Sequence, residues 1–354
     1  MAYTNGLDKP SDYFVTKLFT GNGSNGHAIS GLDFQPAWVW LKNRNTGNTH
    51  EAFDSVRGAT KTLYPDRSDE EYVNSTGSLT SFNSDGFTVG SGDGANKSGS
   101  GIVSWNWVAG TSFTNDASAT GIGSIDSSGS VNTDAGFSII SWTGDGNNGA
   151  TIAHGLGVTP AIVITKRRSA VGDWLVGGST INTARGGANS LLLLNTNAAM
   201  DSNSEVYQTF SSTTFQVGVN AYANTSGSTM ISYCFAEKQG YSKFGSYTGN
   251  GSTDGTFVYT GFKPAWLLVK STAANDWILH DTKRNPHNVS NVTLFPNGSD
   301  ADVTNTIYNQ DILSNGFKAR TTHARLNGSG VTYIYMAIAE NPFVTSTGVP
   351  ATAR

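Results

Sequence analysis

Two short stretches of the chain place a carboxylate three residues before a guanidinium: Asp54-Ser55-Val56-Arg57 and Asp281-Thr282-Lys283-Arg284. That spacing suits a salt bridge that clamps a turn. It also suits a surface site where Arg57 and Arg284 grip an anionic glycan, with Trp277 beside them as a stacking platform. Trp174 and Phe53 stand in places similar to that of Trp277, and aromatics at matching places are more often core. The turn clamp is the simpler account. His280-Asp281 has the composition of half a catalytic triad, but the corresponding places read Phe53-Asp54 and Val176-Gly177, which favours a structural or surface role.

Gly21-x-Gly23-x-x-Gly26 and Gly144-x-Gly146-x-x-Gly149 match a dinucleotide-binding pattern letter for letter. The chemistry of that pattern needs a helix N-terminus after the glycines to hold a pyrophosphate. Here strand-like Ala28-Ile29 and Thr151-Ile152 follow, and in a third copy the last glycine slips to Gly255, so a glycine-rich hairpin is expected. There is no Gly-x-Ser-x-Gly elbow, no P-loop and no His-x-x-x-His spacing. The acids Asp69-Glu70-Glu71 read as a solvated turn, and loops around Asp145 and Asp254 could hold Ca²⁺ but lack EF-hand spacing. The expectation is a protein that is not an enzyme, with no cofactor and no resident metal.

Composition narrows the class further. The 354 residues carry 14 % charged side chains and a net charge of −4, so no basic surface for nucleic acid is implied. The longest apolar run, Leu191 to Leu194, is far short of a membrane span, and the N-terminal residues lack the pattern of a secretory signal. Cys234 is the sole cysteine, which excludes an intrachain disulfide. Synthesis and folding in a cytoplasm are expected.

The elements that must position these residues recur three times. An aromatic followed by Thr-Gly-x-Gly appears at Phe19–Gly23, Trp142–Gly146 and Tyr247–Gly251. Pro-Ala, an apolar stretch and a lysine follow at Pro36 to Lys42, Pro160 to Lys166 and Pro264 to Lys270, the Pro standing 16, 17 and 16 positions after the Thr. Phe87, Phe215 and Phe317 each begin a strand after a polar turn. Asn-x-Ser-Gly closes the series at Asn96, Asn224 and Asn327, each trailed by a large pair: Trp105 and Trp107, Tyr233 and Phe235, Met336 and Ile338. A spacing of two puts each pair on one face of a strand. Within the repeats, short β-branched and aromatic runs bounded by Gly, Asn, Asp and Ser alternate with Asn-Gly turns, and no sustained helical period appears. The expected fold is therefore all-β: three tandem antiparallel β-sandwich domains, jelly-roll or immunoglobulin-like, at 1–110, 136–240 and 241–354, the last with a short C-terminal tail. Residues 111–135 are expected to be a Ser/Gly-rich linker, and the second and third sandwiches to abut.

With these landmarks in place, the chain resembles a family of tandem-repeat structural proteins of tailed bacteriophages, common among marine cyanophages and pelagiphages and often labelled tail-fibre or virion structural proteins. The resemblance spans nearly the whole chain and is most specific at 17–23, 53–58, 79–87, 241–251, 313–318, 333–337 and 340–343. It implies a non-enzymatic virion component, assembled in the bacterial host cytoplasm, with other virion proteins as partners and no catalytic residues to carry over. A fibre, spike or tail-tip protein for host attachment is the leading expectation, as a homo-oligomer, trimer favoured. The competing readings are a capsid-decorating or head-fibre protein and a carbohydrate-binding module or glycan depolymerase. A host surface glycan is a further expected partner. The second repeat departs most from the others, lacking Asp-x-x-Arg and carrying Gly177-Gly178.

Overall fold

A computed structural model describes residues 7–187 and 189–350. The chain is all-β, in antiparallel sheets, and its longest helix, Ser179–Arg185, has seven residues. Each repeat builds the same two sheets. In the first, strands run in the order Phe14–Thr20, Gly101–Trp107, Trp38–Asn43, Glu51–Asp54, and a smaller sheet holds His27–Ser30, Gly86–Val89 and Leu79–Asn83. The third repeat matches it with Ser242–Thr248, Thr332–Pro342, Phe262–Ser271 and Ile278–Asp281, over Phe257–Tyr259, Gly316–Ala319 and Gln310–Leu313. In the second repeat the large sheet grows to eight strands.

The growth at one edge corrects the linker expectation for 111–135. Thr111–Asn115 and Ser127–Asn132 form a hairpin that pairs onto Phe137–Thr143. The segment is poor in apolar residues because its outer strand is solvated, and Gly129 is needed where a Cβ would lie 1.8 Å from the Ile139 carbonyl.

The glycine-rich motif and Asn-x-Ser-Gly are two halves of one clasp. The buried Asn96 side chain accepts from Asn22 N (2.9 Å) and donates to the Ser24 and Gly90 carbonyls. Asn224 and Asn327 do the same for the loops at Asp145 and Asn250. Gly21, Gly144 and Gly249 lie against the backbone of this second loop, where a Cβ would meet a carbonyl oxygen at 2.2–2.3 Å. The motif is a loop rather than the expected hairpin: the strands before and after it pair into different sheets, so it carries the chain from the large sheet to the small one, and a strand rather than a helix follows it.

The repeats are not separate beads. The strands Trp38–Asn43 and Ile162–Arg167 are buried on both faces, which requires a layer on each side of the sheet. One layer is the repeat's own small sheet, with its own core. The other is the two neighbouring repeats: a single apolar cluster draws on all three large sheets. The aromatic or aliphatic pairs that trail Asn-x-Ser-Gly all line it. Ring contacts cross every seam: Trp38 to Tyr233 at 4.5 Å, Trp107 to Trp266 at 5.7 Å and Phe235 to Phe244 at 6.0 Å between centroids.

Backbone bonds repeat around this core in one sense. Glu71 N donates to Arg168 O, Met200 N to Thr272 O and Asp302 N to Arg44 O, at 2.8–2.9 Å. The second repeat leans on the first, the third on the second and the first on the third, closing a ring with approximate three-fold symmetry.

Candidate functional site

The side chains singled out by type and spacing converge on the seams of this ring. Asp54 ends the strand Glu51–Asp54, and the following turn brings Arg57 back over it. Arg57 Nε donates to Asp54 Oδ2 at 2.5 Å, while its Nη atoms reach Lys61 O, Ala52 O and Glu71 Oε2. Across the seam Tyr233 donates its hydroxyl to Asp54 Oδ2 (2.7 Å), and Arg168 donates to both oxygens of Glu71 (2.8 and 3.0 Å). Burial raises the pKa of Glu71, but the two arginines outweigh it and hold the carboxyl below its usual range.

The third repeat copies the arrangement against the first. Arg284 Nε donates to Asp281 Oδ2 (2.5 Å) and Nη1 to Asp302 (2.9 Å). Arg44 of the first repeat donates to Asp302 (2.7 Å), and Trp105 Nε1 to Asp281 (3.1 Å). Arg57 is 3 % exposed, Arg284 6 % and Trp277 2 %, which corrects their assignment as glycan contacts. A ligand in bulk water cannot reach them, and their donors are already committed.

Trp277 Nε1 donates to Leu193 O of the second repeat, and Trp174 Nε1 to Tyr64 O of the first, both at 2.8 Å. Their counterpart is His50 rather than Phe53, because the backbone N–H groups of His50, Trp174 and Trp277 are each held by a side chain at the matching place: Asp66, Asn195 and Asn297. Two of the lysines that end the Pro-Ala stretches serve the seams too, while Lys270 bonds only Ser271 O and Ala273 O of its own repeat. Lys42 Nζ lies within hydrogen-bonding distance of four carbonyls, including Ser299 O of the third repeat, and Lys166 Nζ reaches Ser68 O of the first. Burial pushes the pKa of Lys42 and Lys166 down to about 8, so they remain charged at neutral pH.

The seam between the second and third repeats carries none of this charge. Register places Gly178 where the others have Asp54 and Asp281. Ile181, Met200, Thr272 and Met336 then stand for the arginine, the bridging acid, the partner's arginine and the partner's indole or phenol. The whole polar set is exchanged at once, as expected when removing one member of a buried ion pair strands the other. Gly178 has φ +135°, and a Cβ there would lie 2.1 Å from Ala161 O. Gly178→Ala is expected to cost more than about 2 kcal/mol in urea unfolding.

His280 and Asp281 point to opposite faces of their strand. The imidazole bonds Gln310 (3.1 Å) and Thr293 (2.7 Å) inside the third sandwich, so the two do not form a relay. Burial lowers the His280 pKa to about 4. The ring is neutral in the fold and takes a proton in the unfolded chain below about 6.5, so its contribution to stability is lost as pH falls from 6.5 through 4. Glu51 runs the other way: burial raises its pKa to about 7, and stability falls as pH rises from 4.5 to 7. His280→Gln is expected to flatten the acid limb by about 3 kcal/mol between pH 6.5 and 4, read as the difference between wild-type and variant urea midpoints.

A groove of about 630 Å³ lies beside the added hairpin and is lined by Asn115, Asp116, Asp126, Trp142, Asp145 and neighbouring Ser and Thr residues. Its acids hold its walls. Asp116 caps Ala117–Thr120, Asp126 accepts from Ala117 N, and Asp145 accepts from Asn147 N and Asn224. Asp254, the other acid considered for Ca²⁺, pairs with Lys318. Among the described residues no group of three or more His, Cys, Asp and Glu side chains is placed to hold a metal ion, and no helix is long and apolar enough to cross a membrane.

No curated protein and no solved structure matches the chain. A family model described as a domain of unknown function, DUF7483, matches residues 9–342, from before the first strand to the end of the last long one. The match takes in all three repeats, so the chain belongs to the DUF7483 family.

Proposed function

We propose that the protein is a non-catalytic structural component of a tailed-phage particle, a fibre, spike or tail-tip element that serves host attachment. The observation that carries this reading is the use made of the reactive side chains. The buried arginines with their acids, Lys42, Lys166 and the indoles of Trp105, Trp174 and Trp277 are spent on closing one rigid ring. The resemblance of the repeats to virion structural proteins supports the same reading. A homotrimer is the common way to build a three-fold element from a β-sandwich, and here one chain supplies all three sandwiches. We therefore infer a ring that acts as a single-chain counterpart of a trimer, with other virion proteins as its partners. Electron cryo-microscopy of particles carrying a tagged copy tests the assignment. Density at the tail tip or fibres is expected, and density on the capsid faces or vertices would replace it with a decoration role.

A further inference from the structure

The three repeats serve as controls for one another, because side chains demanded by the shared fold should recur. The first strand of each small sheet places Ile29, Ile152 or Val258 opposite Phe87, Phe215 or Phe317, and all six are buried. The flanking positions point away from the sandwich. They are Ala28 and Ser30 in the first repeat and Thr151 and Ala153 in the second, small in both. In the third they are Phe257 and Tyr259, 44 % and 54 % exposed. Neither other repeat places anything large at these positions, so the two exposed rings are not a requirement of the shared fold.

Both side chains lie beside glycines. Phe257 Cε2 is 3.2 Å from where a Cβ on Gly316 would sit, and the Tyr259 hydroxyl and ring edge are 3.6–3.8 Å from the same point on Gly261. The two rings sit about 6.6 Å apart along the strand, and both reach solvent. The rim is charged but balanced. Lys318, opposite Phe257 in register, pairs with Asp254 at 2.6 Å, and Arg320 pairs with Asp254 at 3.3 Å and Asp311 at 3.4 Å. Two cations and two anions leave no net charge and offer both donors and acceptors.

We propose that Phe257 and Tyr259 form a stacking platform for a neutral saccharide, with Asp254, Lys318 and Arg320 bonding its hydroxyls. Flat aromatic faces take the C–H face of a pyranose, while a few polar groups at the edge fix its orientation. Net neutrality disfavours a strongly anionic glycan. Strand addition is the weaker fit. Only Phe257 and Tyr259 direct backbone groups outward from this three-residue strand, too short a template for a docked peptide. In the second repeat the chain itself covers the same edge, with Ser124 N donating to Thr151 O at 2.8 Å. The inference stands apart from the virion assignment, since a platform of this chemistry would bind sugar wherever the protein resides.

The test is a glycan array of neutral gluco-, manno- and galacto-oligosaccharides, with sialylated and sulfated glycans and extended peptides as further arms, probed with the full-length chain. The best neutral ligand is then titrated calorimetrically. Binding of a neutral oligosaccharide is expected, nearly unchanged between 50 and 500 mM NaCl, and about tenfold weaker or worse in Phe257→Ala/Tyr259→Ala. Both side chains are exposed, so the variant should melt as the wild type does, and Tyr72→Ala, an exposed aromatic of the first repeat, should bind normally. Silence of all neutral glycans, binding confined to anionic glycans or peptides, or neutral binding that survives the double substitution would overturn the proposal.

Discussion

Asp54→Ala is expected to lose about 3–5 kcal/mol of unfolding free energy, a far larger effect than a surface ion pair would give. The substitution strands Arg57 at a site where its side chain has no exposure, and it deprives the Tyr233 hydroxyl of its acceptor across the seam. Glu71 at 3.2 Å remains as a partial partner but is shared with Arg168. Asp54→Ala/Arg57→Ala should recover part of the loss, because the unpaired charge is then gone. Urea midpoints of the two single variants and the double would measure this cycle. A loss below about 1 kcal/mol for Asp54→Ala would mean that the clamp contributes nothing to closing the ring.

The second large effect concerns the ring as a whole. A fragment ending at residue 240 keeps two complete sandwiches and, if the repeats were beads, would melt cooperatively. It would instead expose the shared cluster where Phe244, Trp266 and Met336 now cover Trp107 and Phe235. The expected product binds a hydrophobic dye, loses near-ultraviolet dichroism and self-associates, since a large apolar face has no cover in water. Size-exclusion chromatography and dichroism decide the matter. A monomeric fragment with a sharp transition would refute the single shared core.

The parts of this fold that could be read from sequence are those set by nearby residues. Glycine at tight approaches, asparagine in the clasp and the two-residue spacing of Trp105 and Trp107 leave local marks that recur with each repeat. The hairpin at 111–135 left none. Its strands are held by pairing onto Phe137–Thr143, and its Ser, Thr and Gly content is what a solvated edge and a flexible connector have in common. The strand Glu51–Asp54 was hidden for a different reason. Buried at every position, it holds two carboxylates, Asp54 paired with Arg57 of the following turn and Glu51 pushed up by burial, where an acid-bearing run reads as exposed. The closing of the ring had one available sign. Trp38-Val39-Trp40-Leu41 and Leu267-Leu268-Val269 are unbroken apolar runs, the mark of a strand covered on both sides, where a sandwich facing water alternates. Arg57 and Arg284 were correctly seen as ion-paired, and only depth, which spacing does not carry, separated a seam clamp from a ligand site.

Covalent continuity also frees this assembly from a constraint that identical subunits obey. In a ring of three copies every mutation is made three times, so a change that suits one junction is forced on the other two. Here the polar lock could be abandoned at Gly178 and Met336 while its relatives at Asp54 and Asp281 persisted, and two aromatic faces could be set on one sector alone. Each third of the molecule is thus open to its own specialisation without unmaking the whole.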